Sequence, residues 1–206
     1  MTIFMQGLLN KIFDFIFPPT ETELGLRRID QTAIKNLYRP NQHLGIIFLT
    51  NYHEPLIQTA ITANKFERNP LAPKILAQFL SLWEQGKNLN LIYVPVPLSS
   101  ERYRVRGHNQ VESILRACPE NIKIRTDLLK RVRDTAPQTK LDKHDRAKNL
   151  TGAFMANDKI QNLSPDTGLV LVDDVITTGT TLLEAKQALL KKLPPGVKVI
   201  CLAIAH

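Results

Sequence analysis

The residues best suited to chemistry lie together near the end of the 206-residue chain, in Leu169-Val-Leu-Val-Asp-Asp-Val-Ile-Thr-Thr-Gly-Thr-Thr181. Asp173 and Asp174 are adjacent carboxylates, and Thr177, Thr178, Gly179, Thr180 and Thr181 follow as a loop dense in hydroxyls. Two carboxylates side by side repel a bare phosphate, but they accept hydrogen bonds from sugar hydroxyls and, through water, suit a magnesium ion. The Thr/Gly loop offers the opposite chemistry. Where such a loop opens a helix, backbone N–H groups, hydroxyls and the positive end of the helix dipole converge on one anion, and a glycine lets the backbone approach closely. Together these features predict a phosphorylated, metal-associated sugar as ligand. The Lys-Ser/Thr pair of a Walker A loop is missing, so this is not a nucleoside-triphosphate P-loop. An ordinary strand-turn-helix with an N-cap is the competing explanation, because Thr-Gly turns are common by themselves.

Further cationic residues stand upstream. Arg102, Arg104 and Arg106 precede Gly107-His-Asn-Gln110, and a guanidinium forks onto phosphate oxygens. Arg104 reads as solvated, while for Arg102 and Arg106 a solvated basic turn and an anion contact both stand open from the residues themselves. Pro95 and Pro97 restrict the backbone just before Ser99 and Ser100, whose hydroxyls can donate. Residues 130–149 carry Arg131, Arg133, Lys140, Lys143, Arg146 and Lys148 without a regular apolar period, which predicts a mobile surface loop. Such a run of cations would also neutralise the phosphates of a nucleic-acid strand. Tyr103 and Phe154 are the aromatics near it, too few for a base-stacking platform.

Positioning these groups needs strands that end at one edge. Residues 44–49, 91–94, 121–125, 168–172 and 197–205 read as strands. Helical patterns run over 55–64, 70–85, about 109–117 and 180–192, the first two beginning with Pro near a first helical position. Strands alternating with helices predict an α/β domain with a mainly parallel sheet, whose ligands bind at the carboxyl ends of the strands. We expect a helical segment and linker over 1–43 and the α/β domain over 44–206.

Composition narrows the class. Hydrophobic residues at 43% and charged residues at 22% are ordinary for a globular chain and argue against disorder. The net charge is +8, yet thirteen of the 27 Lys/Arg and seven of the 19 Asp/Glu lie between Glu101 and Lys148, so most of the excess sits in one stretch. Two cysteines, Cys118 and Cys201, are too few for a disulfide framework or an all-cysteine zinc site, which suits a reduced, cytoplasmic setting. The apolar residues of 2–17 have helical spacing but fall short of the ~20 needed to span a bilayer, and no basic region marks a signal peptide.

Leu169 to Thr181 resembles the phosphoribosyl pyrophosphate signature of type I phosphoribosyltransferases. Further stretches match in order: Phe13-Asp-Phe-Ile-Phe-Pro18, Lys65-Phe66, Val94-Pro-Val-Pro97, Arg102 with Arg106-Gly-His-Asn-Gln110, Gln138, and Arg146-Ala-Lys-Asn149 leading to Gly152-Ala-Phe154. By these the chain is identified as a member of the ComF family (ComFC type) of competence-associated, phosphoribosyltransferase-like proteins.

The resemblance implies a type I phosphoribosyltransferase-like fold, a mainly parallel central sheet flanked by helices. It implies that Asp173 and Asp174 contact the ribose and that Thr177 to Thr181 hold the 5'-phosphate. Mg2+ arrives with phosphoribosyl pyrophosphate and has no direct protein ligand. Ser99, Ser100, Arg102, Arg106 and Lys65 fall on the pyrophosphate side, and Arg131 and Arg133 on a flexible closing loop. His108 stands where the family commonly has an aromatic residue. Many relatives carry an N-terminal zinc module, but Pro18-Pro19 leads here into Thr20-Glu-Thr-Glu23 without cysteine, so no structural zinc is expected. The activity implied is phosphoribosyl transfer with pyrophosphate release. The alternative is a non-catalytic sugar-phosphate-binding module that works with a helicase and single-stranded DNA in DNA uptake.

Overall fold

The structure, a computed structural model, describes residues 18–67, 69–87, 89–119, 122–133 and 152–206. The helical segment expected within 2–17, Gln138, residues 146–149 and the basic stretch beyond Arg133 lie outside the described residues.

In chain order the elements are α1 (Glu21–Arg27), α2 (Gln31–Leu37), β1 (Asn41–His43), β2 (Ile46–Thr50), α3 (Pro55–Thr62), a π-helical turn (Ala63–Glu67), α4 (Leu71–Glu84) and β3 (Leu91–Pro95). There follow α5 (Ser100–Arg106), α6 (Gln110–Arg116), β4 (Lys123–Ile124), β5 (Leu129–Arg131), β6 (Phe154–Ala156), a 3-10 turn (Asp158–Asn162), β7 (Gly168–Val175), α7 (Thr180–Leu190) and β8 (Lys198–Ala205). Six strands form one sheet in the order β1-β2-β8-β7-β3-β4, while β5 and β6 pair separately and antiparallel. Only β1 runs antiparallel within the large sheet.

The apolar run at the start of β7 explains its central place. Leu169 and Leu171 project into a core with Leu182, Ala185 and Leu189 of α7 and with Phe154 of β6. Val170 and Val172 project into another with Ile57, Leu76, Phe79, Leu80 and Ile114 on α3, α4 and α6. Successive residues of a strand face opposite sides, so a strand covered on both faces must be apolar at every position. Leu26 and Ile34, from α1 and α2, complete the second core.

Several elements differ from the sequence reading. The strand expected at 44 begins at Ile46, because Leu44 and Gly45, at φ 52° and 75°, form a hairpin turn that pairs β1 with β2. The polar residues before it hold two short helices, capped by Thr20 and Asp30. The helix expected over 55–64 changes at Ala63 into a π turn, where Asn64 is buried and donates from Nδ2 to the Gln110 carbonyl at 3.0 Å. Arg102, Arg104 and Arg106 lie on α5, a helix with no buried residue and therefore no apolar period to betray it. Lys130 and Arg131, read as surface loop, belong to β5, which pairs with β6.

Candidate functional site

β3 ends at Pro95, opposite Val172, while the neighbouring β7 runs on to Val175, and the chain beyond both forms the walls of a cleft of about 440 Å³. Lining it are Lys65, Arg102, Arg106, Arg131, Asp173, Asp174 and residues 177–181. Tertiary structure thus gathers most of the residues singled out above, from four separate stretches of chain.

β7 runs three residues further than the apolar run and delivers both acids in extended backbone. Asp173 Oδ1 accepts from the Asp174 N–H and Asp174 Oδ1 from the Val175 N–H, each at 2.9 Å, so both carboxylates are held by the strand itself. Lys65 Nζ, on the π turn, lies 2.8 Å from Asp174 Oδ2. The electrostatics split the pair. Burial raises Asp173, and the neighbouring carboxylate adds to it, pushing its pKa up to about 7. Burial works in the same direction on Asp174, but Lys65 and then Arg106 outweigh it and hold that carboxyl below its usual range. Burial lowers Arg106, opposed by Asp174, yet a guanidinium stays charged at any ordinary pH.

Asp173→Asn is therefore expected to stabilise the ligand-free protein. A group whose pKa is raised on folding costs stability that is absent below its unfolded pKa and complete above its folded one. The gain should be greatest near about pH 8 and fade towards about pH 4. Discounted for its partial exposure, it should be about 1–2 kcal/mol, a rise in melting temperature of roughly 2–8 °C. A thermal-denaturation series over pH checks both size and direction, and an equal effect at both ends would refute the assignment.

The Thr/Gly loop leads into α7, whose first-turn N–H groups have no partner within the helix. Gly179 caps that helix at φ 70°, a left-handed conformation, and a Cβ there would lie 2.6 Å from Ile46 Cδ1. Only glycine fits. Thr178 Oγ1 and Thr180 Oγ1 are 2.8 Å apart across the turn.

Three expected residues are not in the lining. Ser99 is buried and spends its Oγ capping α5, accepting from the Arg102 N–H at 3.3 Å. Ser100 is the exposed first residue of that helix, and Arg133 lies beyond the end of β5. Two other lining residues were not assigned a role from sequence. Tyr52 enters just past β2, and a lone tyrosine in a loop carries no signal. Gln110 is buried at the start of α6, with Oε1 unpartnered among the described residues, and it stood inside the quoted Arg-Gly-His-Asn-Gln match.

Fold and site together define an α/β protein with a mainly parallel sheet flanked by helices and a polar, cation-walled cleft at the sheet's carboxyl edge. The chain is 31% identical over 173 residues to the DNA utilization protein YhgH of Salmonella typhimurium, covering 81% of this chain and 74% of that one. It is 35% identical over 164 residues to competence protein F of Haemophilus influenzae, covering 75% and 69%. With competence protein ComFC of Streptococcus pneumoniae it shares 30% over 138 residues, covering 67% and 59%. The chain belongs to the ComF family that these proteins represent. No family model matches it. Among the described residues no helix is long and apolar enough to cross a membrane.

Proposed function

We propose that the cleft binds phosphoribosyl pyrophosphate, or a closely related sugar phosphate, with Mg2+, in a fold of the type I phosphoribosyltransferase kind. The reaction we assign to it is phosphoribosyl transfer. The observation that carries this reading is the meeting of paired acids, a Thr/Gly helix N-terminus and four cationic side chains in one cleft. A volume of about 440 Å³ is within the range of small-molecule sites.

In this reading Asp173 and Asp174 accept hydrogen bonds from the ribose hydroxyls, and the N–H groups and hydroxyls of Thr177 to Thr181 hold the 5'-phosphate. Lys65, Arg102 and Arg106 face the pyrophosphate. As the bond from ribose C1 to the pyrophosphate oxygen breaks, that oxygen leaves with the electron pair, and fixed cations stabilise the charge it gains. A nitrogen of the acceptor forms the new bond to C1 and gives up its proton. Asp173 and Asp174, the carboxylates of the cleft, would hold a Mg2+ ion through water. That ion would supply further positive charge to the pyrophosphate oxygens.

Added phosphoribosyl pyrophosphate with Mg2+ is expected to raise the melting temperature by roughly 5–11 °C at about 100 times the dissociation constant. Pyrophosphate release with a panel of bases tests turnover. No thermal shift would overturn the binding reading.

A second reading is favoured by the relatives' names, competence and DNA utilization. It is an accessory protein that uses the cleft for binding alone and acts with a helicase and single-stranded DNA. Tyr103 and Val105, exposed on α5 among Arg102 and Arg104, offer such a strand a basic and partly apolar surface. Tight binding without turnover, together with a salt-dependent affinity for single-stranded DNA, would favour it.

A further inference from the structure

The cationic wall of the cleft contains one group that a phosphate by itself would not favour. Gln110, the first residue of α6, lines the cleft and is only 3% exposed. Its Oε1 is buried and has no hydrogen-bond partner among the described residues. A carboxamide oxygen can only accept, and so can the oxygens of an ionised pyrophosphate. Facing one another directly, the two would repel.

The backbone that carries this side chain is tied on two sides. Asn109 caps α6 with its Oδ1, accepting from the Val111 N–H at 2.9 Å, and donates from Nδ2 to the Val96 carbonyl beyond β3 at 3.0 Å. The Gln110 carbonyl accepts from Asn64 Nδ2 at 3.0 Å, and the residue after Asn64 is Lys65, which pairs with Asp174. Gln110 is thus fixed to the exit of β3 and to the turn that meets the acids, and its Oε1 is left idle. Arg106, at the end of α5, supplies the complementary group: its Nη1 is also buried and unpartnered among the described residues, and it lines the same cleft. One atom can only donate and the other can only accept. Buried polar atoms without partners are costly, so the ligand that suits this wall brings an acceptor and a donor together.

Bare pyrophosphate brings acceptors alone. Its magnesium complex brings both, because Mg2+ keeps several waters when it binds phosphate, and their polarised O–H groups donate. We propose that Gln110 is a specificity-determining residue: its Oε1 accepts a hydrogen bond from water on the Mg2+ that accompanies the pyrophosphate, while Arg106 donates to a phosphate oxygen, so the cleft prefers the metal complex to the bare anion. The inference rests on the function proposed above and assigns to that site the form of the ligand it takes.

Gln110→Met tests it in the full chain, since the side chain keeps its length and loses its acceptor while the backbone carbonyl that Asn64 uses remains. At about pH 8, calorimetric titration with phosphoribosyl pyrophosphate and Mg2+ should show the variant binding roughly tenfold more weakly than the wild type, the worth of one charge-assisted hydrogen bond. With Mg2+ removed by a chelator, the two proteins should differ by less than about twofold. An equal loss in both conditions would mean that Gln110 meets the sugar or the phosphate itself, and no loss in either would mean that it meets nothing; each overturns the proposal. The ligand-free proteins give a second readout. Removing an unpartnered buried acceptor should leave the melting temperature unchanged or raised. A fall of more than about 4 °C would make Gln110 a residue that supports the fold, and would also overturn the assignment. A wild-type protein that binds phosphoribosyl pyrophosphate in neither condition would sink the proposed function and this inference together, whereas the other adverse results sink the inference alone.

Discussion

Gly179→Val is expected to abolish the rise in melting temperature that the proposed binding of phosphoribosyl pyrophosphate with Mg2+ would give the wild-type protein. Gly179 is at φ 70°, where a β-branched residue is a steric outlier, and the new Cβ would meet Ile46 Cδ1 at 2.6 Å. The backbone must leave the left-handed region, and the N–H groups proposed to converge on the phosphate would turn with it. Losing that convergence should weaken binding by roughly 100-fold, about 2.7 kcal/mol. Gly179→Ala keeps the unfavourable φ with a smaller side chain and should fall between the two. Calorimetric titration beside thermal denaturation separates loss of the site from loss of the fold. A folded Gly179→Val protein that still binds with wild-type affinity would remove the phosphate from this loop.

Lys65→Met should have the largest effect on stability. It leaves Asp174, which is buried, without the ammonium now 2.8 Å away, and breaking a buried pair from one side costs about 3–5 kcal/mol. Arg106 also acts on Asp174, so the low end applies. About 3 kcal/mol corresponds to a fall in melting temperature of roughly 6–12 °C for a chain of this size. The sign with pH opposes that for Asp173. The Asp174 carboxyl is lowered on folding, so its stabilisation is complete above its unfolded pKa and is lost as pH falls through the folded one. The deficit of the variant should therefore be greatest near about pH 8 and shrink below about pH 4, as the carboxyl becomes neutral in both proteins. Lys65→Arg, which keeps the charge, should recover most of the loss. An equal deficit at both ends of the range would make Lys65 a packing residue.

Much of the site was legible because its chemistry is local. The acids, the Thr/Gly loop and its helix are consecutive, and a strand followed by a glycine-bearing turn defines their geometry whatever surrounds them. The basic helix α5 and the π turn were not legible. The first buries nothing and so shows no periodicity, and the second arises from the bonds of Asn64 and His108 to residues some 44 to 46 positions apart in the chain. Ser99 shows the same limit, since its hydroxyl serves a helix that could not be foreseen.

By itself, then, the sequence determined the α/β class, the central buried strand and the order of acids and cradle along it, because apolar pattern and turn chemistry act between near neighbours. Tertiary structure alone decided which distant cations stand over those acids. It paired Lys65 with Asp174, drew Arg131 in from β5, and left Ser100 and Arg133 outside the lining. The physical reason is that charge and hydrogen bonding act through space over a few ångströms, and only the folded chain specifies which groups come that close.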